Sequence, residues 1–123
     1  MQDFRNIEAW QLCRPMVVDV YKLTKRFPRE ELFGLTSQLR RSAGAIGAAI
    51  AEGFGRSTRA DCARCLQTAV SEGNETLHHL ITALDLGYLN DTEYQRLETQ
   101  VTRIRHKVIN LVLRIRPARK RRR

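Results

Sequence analysis

The chain has 123 residues, with 22 Lys and Arg against 13 Asp and Glu and a net charge of +9. That length holds one compact domain, and 42% apolar with 28% charged residues is the composition of a folded chain. The longest uncharged stretch of the apolar region, residues 42–51, is about half of what a membrane-spanning helix needs; MQDFRNIEAW has no secretory pattern, and three cysteines suit a reducing compartment rather than a disulfide framework.

A small cytoplasmic domain is therefore expected, and its periodicity is helical almost throughout. The first segment, about 4–26, sets Trp10, Cys13, Val17, Val20 and Thr24 on one face. Pro15 falls inside it and removes one backbone hydrogen bond, which predicts a kink; Phe27-Pro28 ends it. The second segment, about 29–53, opens on Glu30 and Glu31 behind Pro28. Its stripe is Leu35, Leu39, Ser42/Ala43, Ile46, Ile50 and Gly53. The third, about 58–88, opens with Thr58 and Asp61 in capping-box spacing and carries Cys62, Cys65/Leu66, Ala69, Gly73, Leu77, Leu80 and Leu84, with Gly87 as its stop. The fourth, about 92–116, repeats Leu97, Val101, Ile104, Val108, Leu111 and Ile115 at steps of 4 and 3, and Pro117 ends it. Four long amphipathic segments with short connections predict an all-α, antiparallel up-down four-helix bundle over 1–116. A basic tail expected to be disordered, 117–123, follows.

From Ser42 to Ala51 the second segment has no charged residue, and Gly44, Ala48 and Ala51 lie opposite Ile46 and Ile50. A helix apolar on all sides is buried on all sides, so a second subunit is expected to cover this back face. Ile109, Val112 and Leu113 widen the apolar arc of the fourth segment in the same sense. A tight contact within the chain is the alternative.

No catalytic grouping emerges. Cys62-Ala-Arg-Cys65 has C-x-x-C spacing, but zinc needs further ligands and redox use a strand-to-helix context, so packing is the expected role. Glu75-Thr-Leu-His78 has the Glu-x-x-His spacing of di-iron bundles, yet no second copy exists. Gly53-Phe54-Gly55-Arg56-Ser57 follows a helix rather than a strand and reads as a helix stop. The pairs Glu30/Glu31 and Glu72/Glu75 fit solvated helix faces. Neither an enzyme nor a cofactor or metal is expected.

The charge is the informative feature. Residues 1–95 carry 11 basic and 12 acidic side chains; residues 96–123 carry 11 basic and one acidic, Glu98. Arg96, Arg103, Lys107 and Arg114 share the flank of the fourth segment away from its seam, and Arg119, Lys120, Arg121, Arg122 and Arg123 follow in a run. Such a stretch binds a polyanion by counterion release. With no aromatic residue after Tyr94 to stack on bases, backbone-directed nucleic-acid binding with little sequence choice is expected. A solvated tail that only confers solubility is the alternative.

Several strings resemble one family. Trp10…Val20-Tyr21…Thr24…Phe27-Pro28…Glu31, Leu35…Gln38-Leu39-Arg40-Arg41-Ser42-Ala43 and Ile50-Ala51-Glu52-Gly53-Phe54-Gly55-Arg56 resemble the 23S ribosomal RNA intervening-sequence proteins. Ala69…Glu75…His79-Leu80…Ala83…Asp85…Gly87-Tyr88-Leu89 fits the same pattern, and the resemblance spans about residues 4–115. It implies a small bacterial cytosolic four-helix bundle. Through the family's similarity to accessory variability proteins of diversity-generating retroelements, it also implies a homopentameric ring that binds nucleic acid, RNA rather than DNA, or recruits a protein such as a reverse transcriptase; no membrane is implied. The chain departs from the family at Gly47 and Ala49, where Pro and Asn are usual, and at Ser71-Glu72, where Gly-Ser is common. Gln38, Arg41, Glu52 and Arg56 are retained, and of these Gln38, Arg41 and Glu52 project to one flank of the second helix. Together with Gly44, Ala48 and Ala51 these four form the expected oligomer interface or polar network, with an RNA-facing patch as the alternative for the polar flank.

Overall fold

The computed structural model describes residues 2–116, and the basic run Arg119–Arg123 lies outside them. Four helices carry the chain: α1 (Glu8–Thr24), α2 (Ser37–Phe54), α3 (Arg59–Asp85) and α4 (Asp91–Ile115), with no strand among the described residues. They pack around a square in chain order, α1 against α2 and α4, and α3 against α2 and α4. Cross-helix contacts fix antiparallel neighbours. Asp19 meets Arg96 while Glu8 meets Lys107; Ser42 meets Thr76 while Gly53 lies against Cys62 and Cys65.

The starts of α3 and α4 and the stop of α3 have local causes. Thr58 accepts a hydrogen bond from the Asp61 backbone N–H at 3.1 Å, capping α3. The fourth helix starts one residue earlier than its apolar stripe suggests, because Asn90 and Glu93 form a reciprocal capping box. Gly87 adopts φ 79° after α3, the left-handed conformation that glycine reaches without a Cβ penalty. Pro15 does not interrupt α1. It sits on the exposed face, where water can take the carbonyl that lost its N–H partner.

The stripes expected for α2 and α4 line the core, with Leu39, Ile46, Ile50, Val101, Ile104 and Val108 essentially inaccessible. In α1 the buried line is Ala9, Cys13, Met16, Val20 and Leu23, so Trp10 and Val17 flank it half-buried rather than forming it. In α4, Val112 belongs to the core, whereas Ile109 and Leu113 face outward.

The largest departure precedes α2. Instead of one helix from residue 29, a 3-10 turn (Arg29–Glu31) leads into a π-helical turn (Leu32–Thr36) that breaks at Gly34, with φ −113° and ψ −113°. Glu31 holds this turn. Its carboxylate accepts from the Leu35 backbone N–H at 3.4 Å and from the Tyr88 hydroxyl at 2.9 Å, which replaces the solvated role expected for it. The turn rotates Phe33 outward until 93% of it is exposed, beside the half-exposed Leu32.

Gly53 is where α2 and α3 approach most tightly. A Cβ there would stand 3.1 Å from Cys65 Cβ and 3.2 Å from the Cys62 carbonyl oxygen. Gly53→Ala is therefore expected to destabilise the fold by about 1–3 kcal/mol despite alanine's better helix propensity. A lower urea midpoint at unchanged m is the measurable result.

Candidate nucleic-acid interface

Three cations of α4, Arg96, Arg103 and Lys107, face α1 and are paired there. Arg96 Nη2 lies 3.2 Å from Asp19 Oδ2, which also accepts from Gln100 Nε2 at 2.8 Å. Lys107 Nζ lies 3.2 Å and Arg103 Nη2 3.8 Å from the Glu8 carboxylate. Three of the four expected flank cations are thus partly neutralised by two acids of α1, a pairing that depends on tertiary register and leaves no trace in the spacing along α4. Arg114 is exposed, with no acidic partner among the described residues.

The retained polar set divides in two. Arg41 Nε donates to Gln38 Oε1 at 3.3 Å, and the same guanidinium reaches across to α3, 3.4 Å from Glu72 and in contact with Glu75. Glu72 and Glu75 are therefore half-buried at the α2–α3 seam rather than on a solvated face. Beneath them Thr76 and Ser42, both wholly buried, share a 3.0 Å hydrogen bond. Glu52 and Arg56 pair with each other at the far end of α2. On the back of α2, Gly44 and Ala48 are exposed and Ala51 half-buried, whereas Gly47 and Ala49 are buried within the chain.

Glu75 is engaged by Arg41, and it is His79 rather than His78 that lies beside it, Nε2 to Oε2 3.6 Å. Burial, His78 and Arg41 nevertheless hold the His79 pKa below its ordinary 6.5. Because the unfolded state then takes the proton first, this group's contribution is complete above pH 6.5 and falls as pH drops from there toward the lower folded value. Urea unfolding between pH 7.5 and 5 should show a decline that His79→Gln lessens; equal declines would contradict the assignment.

The Cys13 and Cys62 thiols are not poised as nucleophiles. Burial pushes Cys13 up to about 12, and burial together with Cys65 raises Cys62. All three are free. Cys65 is only half-buried, close to Arg56, so the expected packing role is complete for Cys62 and partial for Cys65. No described helix is long and apolar enough to cross a membrane.

The four helices make the chain one of the small all-α bundle proteins, and its family follows from the sequence match. The family described as "23S rRNA-intervening sequence protein" matches residues 5–110, and the chain belongs to that family. A crystal structure of a protein of unknown function from the S23 ribosomal protein family of Bacteroides thetaiotaomicron VPI-5482 superposes with a TM-score of 0.79 at 27% identity, covering 85% of this chain and 97% of that one. None of the curated proteins matches.

Proposed function

We propose that the protein is a non-enzymatic, homo-oligomeric RNA-binding protein of the cytoplasm that contacts the phosphodiester backbone with little sequence choice. One observation carries the reading: 11 of the 22 basic side chains lie in the last 28 residues, against a single acid. Membership in a family named for an rRNA intervening sequence favours RNA over DNA. Titration of a labelled RNA hairpin at several salt concentrations tests it, using the full chain and a 1–116 truncation. Affinity should fall steeply with salt, and truncation should flatten the log–log slope by about 0.9 for each tail cation that displaces a counterion, the value for duplex DNA. No binding by either chain at low salt would sink the reading.

Assembly is supported by a different observation. Phe33 is 93% exposed, and the uncharged back of α2 is left uncovered at Gly44 and Ala48. The homopentamer is the stoichiometry that the family resemblance supports. The same exposed groups favour a second reading, a ring that recruits a protein partner such as a reverse transcriptase. In that case the isolated protein would leave the RNA hairpin unbound.

A further inference from the structure

The α2–α3 turn and the C-terminal end of α4 lie at one end of the bundle, and their register can be followed residue by residue. Gly73 packs on the methylenes of Arg105, whose Nη1 donates to Asn74 Oδ1 at 2.6 Å. Antiparallel helices of equal rise keep that pairing, so Arg116 comes level with Cys62 in the first turns of α3. Arg59, fourteen residues before Gly73, returns to nearly the same azimuth. It therefore lies on the side of α3 that faces α4, about one turn past the point where α4 ends.

This geometry polarises the charge along the bundle axis. A level through Cys13 and Gly47, whose added Cβ would lie 3.3 Å from Cys13 Cβ, crosses α3 near Ser71 and α4 near Arg105, within a turn of the Gly73–Arg105 and Glu8–Lys107 contacts. On the far side, residues 14–46 and 72–104 carry nine basic and nine acidic side chains. On the near side, residues 2–13, 47–71 and 105–116 carry eight basic and four acidic ones, and five further cations follow in sequence. Among the described residues the whole net charge, +4, belongs to one end.

Each of the four acids at that end is already paired: Asp3 with Arg5, Glu8 with Lys107, Glu52 with Arg56 and Asp61 with Arg64. Three exposed arginines have no acidic partner among the described residues: Arg59, Arg114 and Arg116. We infer that Arg59 joins Arg114 and Arg116 in a phosphodiester-binding surface on this end of the bundle, and that the α1-paired flank of Arg96, Arg103 and Lys107 is not the primary contact. Guanidinium groups suit this chemistry, since their planar donors fork onto phosphate oxygens. Apposition on two helices also gives the ligand a footprint that an isolated tail lacks.

The inference rests on the RNA reading above, and the test separates the two. Arg59→Gln and Arg96→Gln remove the same charge from the full chain, at the proposed surface and at the paired flank. Arg59 is exposed in the first turn of α3, so its loss leaves the fold intact, which melting curves verify. With the labelled RNA hairpin, Arg59→Gln should lower the salt slope by about 1 and weaken binding about fivefold near 0.15 M salt. Arg96→Gln should change affinity by less than about twofold, because Asp19 already offsets that charge. Equal weakening by both would mean that only net charge matters and would overturn the surface. Loss of binding on truncation with Arg59→Gln unaffected would also overturn it while the RNA reading stood. Binding to anionic lipid vesicles but not to the hairpin would overturn both.

Discussion

Replacing Ala48 by glutamate is expected to dissolve the assembly while leaving the helical content of the chain unchanged. Ala48 is exposed in the single chain, and the Cβ position of its neighbour Gly44, one turn away, meets nothing within 4 Å. Glutamate is a good helix former at such a site, so the monomer has no reason to unfold. Beneath a second subunit the same carboxylate would be buried without a partner, at a cost of several kcal/mol. Sedimentation velocity should then show a monomer whose far-UV circular dichroism matches the parent. An unchanged assembly state would mean that α2 is not the interface. Gly44→Ala sharpens the comparison: in the uncovered chain it should stabilise by about 0.5–1 kcal/mol, and a close helix–helix contact there would reverse the sign.

The helices were legible because each carries its own signal. The stripe of α2 from Leu35 to Gly53 and the seam of α4 from Leu97 to Val108 are set by spacing alone, and both line the core. The α1 face was displaced because Trp10 and Val17 fit the same period as Ala9 and Met16. Only the packing against α2 decides between them, where a Cβ added at Gly47 would stand 3.3 Å from Cys13 Cβ and 3.7 Å from Trp10 Cδ1. The break before α2 was hidden because Glu31 and Tyr88, whose hydrogen bond pins it, are separated by 57 residues. The charge distribution was legible in total but not in arrangement. Nothing in the spacing along α1 sets Glu8 and Asp19 against Lys107 and Arg96; the tertiary register does. Arg59 stands in a near-neutral part of the sequence and gains its place from the fold's antiparallel return.

Ile50→Ala should be among the most damaging single truncations, lowering stability by about 3 kcal/mol or more. Ile50 is fully buried on the core face of α2. Such truncations cost most where the surroundings cannot collapse into the space left behind. Here they cannot. One turn away, the Cβ position of Gly53 already stands 3.2 Å from the Cys62 carbonyl oxygen, so α2 and α3 have no room to close further at that level. The same truncation at half-buried Ile115, in the last turn of α4, can be relieved by local adjustment and by water, and about 1 kcal/mol is expected. Both are best measured in the Ala48→Glu chain at two protein concentrations, since on the proposed assembly its unfolding is unimolecular and its midpoint independent of concentration. Urea midpoints at constant m report the difference directly. A cost for Ile50→Ala no greater than that for Ile115→Ala would show that the two helices close up after all, and that the glycine contact is not the limit on their approach.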